Sequence, residues 1–220
     1  MIRTMLLSAA VALLSVSSAS ALTSNGITFT SLSPGLTLDS LTGTGTSADP
    51  FVLSETLSTD DGTLSIEGLD TAGLDPLGIG GSFYLSKTVT NASGFNWSFF
   101  DLELQSVLGE PSDEFDGLSF AQGNLSVRPF TSDVFVSVFE ESIERDQVNF
   151  FDATVLPGQT VTMNFVVSDN SPASPFYLRQ RPNFVDPAQR GDIPLPAALP
   201  LLATGAAALF GLARRRRAAG

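Results

Sequence analysis

The chain has 220 residues, with 23 acidic and 11 basic side chains and a formal net charge of −12 at pH 7. All the acidic residues lie between Asp39 and Asp192, whereas only six of the basic ones do, so the central segment is strongly anionic and no nucleic-acid partner is expected. Histidine and cysteine are absent, which excludes nucleophile–histidine triads, cysteine nucleophiles, zinc sites and disulfides.

The first predicted element is a secretory signal peptide over residues 1–21. Arg3 supplies the positive charge, an apolar run extends from Met5 to Val16, and Ala19, Ser20 and Ala21 form the small-residue cleavage box. We therefore expect export through the secretion translocon and a mature chain that begins at Leu22. The alternative, an uncleaved anchor, is disfavoured because the apolar run is shorter than the about 20 residues that a membrane span needs.

Residues 22–180 are predicted to form an all-β domain. Apolar and polar residues alternate from Val161 to Val167, after the Pro157-Gly158 turn, and again from Phe83 to Thr90. The spacing of the strands, with Gly, Pro, Asp and Ser between them, favours an antiparallel two-sheet β-sandwich. One helical turn is predicted at Ser142–Gln147. The further predicted strands are Ile27–Leu32, Phe51–Leu57, Thr63–Glu67, Asn96–Leu104, Val134–Phe139 and Phe176–Arg179.

The aromatic residues are the first candidates for a binding site, because sugar rings stack on exposed aromatic faces. Trp97, Tyr84 and Tyr177 are the amphipathic rings of the chain. We interpret Trp97 as a core residue and Tyr84 as the better candidate for exposure. The apolar phase shifts between Trp97 and Phe100, which predicts a bulge or a strand that is covered on both faces. Lys87, the one lysine, lies in mid-strand, which does not favour a Ser–Lys catalytic pair.

Carboxylates are the second candidates, because closely spaced oxygen ligands bind calcium and paired acids cleave glycosides. Asp113, Glu114 and Asp116 form the densest cluster and are the candidate ligands of a structural calcium, with Asp60-Asp61-Gly62 second. Neither segment matches an EF-hand or a nonapeptide repeat. Apart from this calcium no cofactor is expected, and no catalytic residue is assigned.

The C-terminal region is predicted to consist of a proline-containing linker over residues 181–192 and a membrane-directed tail over residues 193–220. The tail has an apolar stretch from Ala198 to Ala213, predicted to be a hydrophobic helix that is short for a permanent span. The arginines that follow it act as a cytoplasmic stop. Prolines before it hold the backbone extended and accessible to an enzyme at the membrane face. The motif residues are Ile193, Pro194, Leu195, Pro196 and Ala197, and the stop residues are Arg214, Arg215, Arg216 and Arg217.

This order of motif, apolar helix and arginine run resembles the VPLPA variant of the PEP-CTERM sorting signals. Ile193 stands where the variant usually has Val, and Leu195 stands where the parent motif has Glu. The resemblance implies that a membrane-embedded, exosortase-type sorting enzyme recognises and removes the tail, often alongside exopolysaccharide production. The segment Thr88–Leu104 also resembles a strand, turn and strand of exported sandwich domains with such tails, which implies a fold but no catalytic residue.

Three functions of different classes remain. The first is a non-enzymatic surface or extracellular-matrix protein, held in the membrane by its C-terminal helix before processing, with exopolysaccharide as a further expected partner. The second is a carbohydrate- or calcium-binding module at the cell envelope. The third is a carboxylate-based hydrolase, for which no paired spacing is present.

Overall fold

The computed structural model describes residues 20–113, 116–120, 130–141, 145–170 and 174–183. Over these ranges the chain consists of two β-sheets, mainly antiparallel, and one helix of four residues. The predicted all-β class is therefore confirmed, and two sheets are what the predicted sandwich requires. The signal peptide up to residue 19, most of the linker and the sorting tail lie outside the described residues. Within the described ranges, no helix has the length and apolar character of a membrane span.

Thirteen strands and one helix are present in the described ranges. In chain order they are β1 (Ala21–Ser24), β2 (Ile27–Ser31), β3 (Leu36–Thr42), β4 (Phe51–Leu57), β5 (Gly62–Glu67), α1 (Leu69–Ala72), β6 (Gly81–Asn91), β7 (Trp97–Gln105), β8 (Leu118–Ser119), β9 (Thr131–Ser132), β10 (Ser137–Glu141), β11 (Gln147–Val155), β12 (Thr160–Asp169) and β13 (Phe176–Pro182).

The strands divide between two sheets. The first sheet has the order β1-β2-β5-β13-β7-β11-β10, and the second has the order β3-β4-β6-β12-β8, with β9 paired to β12 as well. Neighbouring strands are antiparallel except β4 and β6, which run parallel with Leu53 opposite Lys87. Because β13 lies between β5 and β7 in the first sheet, residues near positions 61, 105 and 179 come together although they are far apart along the chain.

The predicted strands agree with the structure to within a few residues. Phe51–Leu57 is confirmed without change, whereas the strand predicted at Val134–Phe139 is Ser137–Glu141. The last strand continues to Pro182, so Arg181 and Pro182 belong to the first sheet and not to the linker. The helical turn predicted at Ser142–Gln147 lies partly outside the described residues, and it is wrong at Gln147, which begins β11.

The interior between the sheets is built from alternate residues of facing strands. Phe29 and Phe176 from the first sheet meet Phe51 and Phe83 from the second, with ring centroids 5.9 to 6.5 Å apart across the interface. All four rings are buried. Fully buried aromatic rings contribute some of the largest transfer free energies in a core. This contact between sheets stabilises a domain that has no disulfide.

The turn between β6 and β7 is closed by a buried asparagine. Asn91 donates from Nδ2 to the carbonyl oxygens of Phe95 (2.9 Å) and Val155 (3.1 Å). Its Oδ1 accepts from the backbone N–H and the hydroxyl of Ser93, at 3.0 and 2.6 Å. Trp97 is fully buried, as predicted, and its Nε1 donates to Ser93 Oγ at 3.0 Å. The indole therefore belongs to the core and offers no platform for a sugar.

Candidate functional site

In the described part of the calcium candidate, the Asp116 carboxylate is hydrogen-bonded within its own loop. Both Asp116 oxygens accept from the Ser112 hydroxyl at 2.8 Å, and Oδ1 also accepts from the Leu118 N–H at 3.0 Å. Glu114 lies outside the described residues. Among the residues that the structure describes, no three acidic, histidine or cysteine side chains converge as a metal site would require. The calcium site therefore stays a prediction.

The sorting residues can be placed in part. Ala19, the motif Ile193–Ala197 and the arginines 214–217 lie outside the described residues. Ala21 is the first residue of β1 and pairs with Thr30. The predicted cut after Ala21 would remove this first residue and leave Leu22 to Ser24 to pair with β2.

The predicted shift of the apolar alternation between Trp97 and Phe100 is confirmed, and the bulge lies in β11, the strand paired with β7. Trp97 packs edge-on against Phe100 in the core, with ring centroids 5.4 Å apart. Phe99 stacks instead on Phe151 at 6.3 Å. The pairing of β11 with β7 changes register between Phe151 and Val155. Beyond this point β7 is buried on both faces, with a polar set, Asp101, Glu103 and Gln105, opposite the apolar set, Phe100, Leu102 and Leu104.

The polar set of β7 forms a network with the strands on either side, which we call the outer network. Arg181 of β13 donates from Nε to Asp101 at 2.7 Å and from Nη2 to Glu103 at 2.8 Å. Gln147 of β11 donates to the other oxygen of Asp101. Gln105 donates to Glu103 at 2.7 Å. One guanidinium thus holds two neighbouring carboxylates, which is the geometry that arginine, and not lysine, provides.

Burial changes the acidity of this network. Desolvation raises the pKa of Asp101 to about 6, because the loss of water outweighs the attraction of Arg181 and the hydrogen bond from Gln147. A carboxyl group with this pKa is partly protonated in mildly acidic conditions. Such groups occur at functional sites and also in structural ion pairs, and the double contact with Arg181 is typical of the latter.

A cleft of about 440 Å³ lies beside the outer network. Arg179 of β13 binds Asp61 in it through Nε, 3.1 Å from both carboxylate oxygens, and both side chains remain about one third exposed or more. The hydrogen bond to Asp61 raises the pKa of Arg179, which stays charged. The cleft wall continues to Gln105, whose Oε1 accepts from the Gly109 N–H at 2.8 Å. The remaining wall residues are Ser33, Pro34, Gly35, Thr59, Thr63 and Leu108.

The sequence predicts a role for Asp61 but does not identify its partner. Asp61 belongs to the second carboxylate cluster, a candidate for metal binding, whereas in the structure it binds Arg179. Arg179 lies 118 positions away along the chain. Knowledge of the strand order would predict that Asp61 and Arg179 are close, but the alternation of residues within one strand does not reveal strand order. Tyr84 and Tyr177, the other aromatic candidates, are both half-buried.

The cleft combines charged and neutral hydrogen-bonding groups with one exposed apolar side chain. Leu108 is 54% exposed at its edge. No family model, no curated protein and no solved structure matches this chain.

Proposed function

We propose that this chain is an exported, exosortase-sorted protein of the bacterial cell surface or extracellular matrix, and that its β domain acts without catalysis. The observation that carries the proposal is the order of three features in the tail: the motif Ile193–Ala197, the apolar stretch Ala198–Ala213 and the four arginines 214–217. The signal-like first 21 residues support it, because a tail of this kind has a use only in a chain that enters the translocon.

The described domain supports a non-catalytic role. Asp101 and Glu103, the paired carboxylates of the outer network, are both bonded to Arg181. A glycosidase needs one carboxyl group to donate a proton while the other faces the sugar. Carboxylates that share one arginine in a buried sheet face are instead arranged to hold strands together.

A comparison of two bacterial strains tests the sorting proposal. In a host with an exosortase, the chain should lose its arginine cluster and leave the inner membrane. In the same host without the exosortase gene, the chain should keep Arg217 and remain in the membrane fraction. An identical membrane-bound product in both strains would favour a plain tail anchor and refute sorting by exosortase.

Polysaccharide binding through the cleft is a second candidate function. The favouring observation is the partly exposed Arg179–Asp61 pair beside the exposed Leu108. Because the central segment is strongly anionic, the ligand class is a neutral polysaccharide, since an acidic polymer would be repelled. This role is compatible with a surface or matrix protein.

Pull-down on immobilised neutral and acidic polysaccharides tests this candidate. The mature protein should be retained by the neutral polymer, with Asp61→Asn weakening retention several-fold. Asp70→Asn is the matched control, because Asp70 is exposed and lies in α1, away from the cleft residues. Equal retention of both variants would remove the cleft from consideration, and loss of retention with a chelator would point to calcium instead.

A further inference from the structure

The one lysine of the chain lies in the core. Lys87 of β6 follows Phe83 and Leu85 at a spacing of two, so it faces the same interior as they do, and its exposure is 0%. Lysine is almost never fully buried, because its ammonium group is strongly hydrated. A buried lysine between apolar neighbours therefore needs an explanation beyond packing.

Two polar side chains meet Lys87 in the core, one from each sheet. Glu55 of β4, the parallel neighbour of β6, contacts Nζ through Oε1. Gln180 of β13, in the first sheet, has its Oε1 2.7 Å from Nζ. Their exposures are 1% and 0%. We call these three residues the core triad, and they link the second sheet to the first.

The triad places an amine against a carboxamide carbon. Because a carbonyl bond is about 1.2 Å long and Nζ is 2.7 Å from Gln180 Oε1, the amide carbon Cδ lies within about 4 Å of Nζ. Fixed proximity of this kind replaces a collision between separate molecules and accelerates reactions strongly. The dry interior also prevents hydrolysis of the carboxamide by water.

The amine can become a nucleophile here. Desolvation lowers the pKa of Lys87, although the neighbouring Glu55 opposes this effect. An uncharged amine has the free electron pair that attack on a carbonyl carbon requires. Glu55 contacts Nζ and is therefore placed to take its proton.

Two atoms of the triad have no hydrogen-bond partner among the described residues. They are Oε2 of Glu55 and Nε2 of Gln180. Most buried polar atoms are paired, so two unpaired atoms in one small cluster are unusual. An acyl transfer between Lys87 and Gln180 would use both atoms. Glu55 Oε2 would carry a proton, and Gln180 Nε2 would be the nitrogen that leaves.

We propose that Lys87 and Gln180 form an intramolecular isopeptide bond, with Glu55 as the proton-transfer group. The step starts from the neutral Lys87 amine and a Glu55 carboxyl group that holds the proton taken from the ammonium. The Nζ electron pair attacks Cδ of Gln180. Glu55 gives its proton to Nε2 and takes the proton that Nζ loses, the Cδ–Nε2 bond breaks, and ammonia leaves. The new Nζ–Cδ amide replaces the old one, nothing is oxidised or reduced, and Glu55 ends as it began.

The bond would fasten the two sheets to each other. Lys87 and Gln180 are 93 positions apart, and they lie on β6 of the second sheet and β13 of the first. A covalent link across the core would do for this chain what disulfides do for other exported domains. The chain itself has no cysteine.

Because the chain has a single lysine, cleavage after lysine reports on Lys87 alone. A protease that cuts after lysine should cut the denatured chain once if Lys87 is free and should leave it whole if Lys87 is acylated. We expect the purified full chain to remain whole and to be lighter than its sequence by one ammonia. A tryptic digest should then contain the Lys87 peptide joined to the peptide that begins at Gln180.

The digest also separates this reaction from a side reaction. The Asn25-Gly26 turn can lose ammonia by forming a succinimide, which changes the mass but leaves Lys87 open to the protease. If wild-type protein that has folded is then denatured and is cut completely after Lys87, the proposal is overturned, whatever the mass of the chain. The triad would then be a buried ion pair with a hydrogen bond.

Two matched variants test the role of Glu55. Glu55→Gln keeps the size of the side chain and removes the proton acceptor, so the chain should fold, keep its ammonia and be cut after Lys87. Glu67→Gln changes an exposed glutamate of β5 and should leave the bond intact. Cooperative thermal unfolding shows that each variant is folded. A joined Lys87–Gln180 peptide in folded Glu55→Gln protein would overturn the role assigned to Glu55.

Discussion

At the scale of single residues, the side chain of Asn91 makes four hydrogen bonds in the core. Its side chain satisfies two carbonyl oxygens and two Ser93 donors in the buried turn after β6. Asn91→Ala leaves these groups unpaired, and we expect the free energy of unfolding to fall by about 2–4 kcal/mol. Denaturant unfolding of the mature protein measures this change.

Asn96 of the same turn is the matched control. Its side chain is exposed, and its backbone oxygen accepts from Asn183. Asn96→Ala should change the free energy of unfolding by less than about 0.5 kcal/mol. Equal losses in the two variants would mean that the bonds of Asn91 do not hold the turn.

Asp101 predicts a pH dependence of stability. Its pKa is raised to about 6 in the folded chain, from about 4 in the unfolded chain. Between these two pH values the folded state therefore binds more protons than the unfolded state. The stabilisation from Asp101 is complete below pH about 4 and is lost as pH rises through about 6. We expect the free energy of unfolding to decline by about 3 kcal/mol over this window relative to Asp101→Asn.

The control for this pH profile is Asp70→Asn, which removes an exposed carboxylate outside the outer network. This variant should keep the decline of the wild type. A constant difference between wild type and Asp101→Asn from pH 4 to 7 would contradict the assignment of a raised pKa to Asp101.

At the scale of elements, four phenylalanines pack the two sheets against each other. Phe83 contacts the other three rings and is fully buried. Phe83→Ala should lower the free energy of unfolding by about 3–5 kcal/mol, because it opens a cavity between the sheets. Val136→Ala, at a side chain that is 81% exposed, should be close to neutral. Equal effects in denaturant unfolding would contradict the packing described.

Two of the longer strands that the sequence did not predict, β3 and β11, pair with their neighbours through a change of register. Phe51–Leu57 alternates without interruption and was predicted at its observed bounds. β11 was missed because its alternation breaks after Phe150, where Phe151 and Asp152 follow and Asp152 has a positive φ of 64°. The register change at this point is a bulge, and a bulge removes the period of two from which a strand is recognised.

The same limit explains what was missed at the sites. Glu55 and Lys87 both lie at inward positions of strands that were predicted correctly, so their burial could have been inferred from the spacing. Gln180, their partner, lies one residue beyond the predicted end of the last strand, on the other sheet. Its contact with Lys87 follows from the packing of the two sheets, which alternation within single strands does not specify.

The prolines of the tail can be tested as an element. Replacing Pro194 and Pro196 by Ala removes the two breaks before the apolar stretch, so helix can continue backward and lengthen the span. We expect full-length protein to accumulate in the inner membrane, seen by fractionation and immunoblot. Replacing Pro157 by Ala is the control, since this proline lies in the turn before β12 and should leave processing unchanged. Normal processing of the double variant would contradict the role of the motif.

At the scale of the whole molecule, the proposed export route would deliver a domain that has no disulfide. The predicted signal peptide and sorting tail would direct the chain through and out of the membrane, and the β domain would depend on its packed interior together with the proposed link between Lys87 and Gln180. The anionic surface agrees with a protein that stays soluble in a salty exterior. These parts are independent, because the link forms in any compartment where the domain folds, whereas sorting needs the tail and its enzyme.

The intact mass of the protein recovered from outside an exosortase-containing host tests the central claim most directly. The account predicts a chain that begins at Leu22 and has lost arginines 214–217. Terminal peptides from a digest of the same sample assign both cuts. An exported protein that keeps Arg217 in such a host would contradict sorting and leave a plain tail anchor in its place.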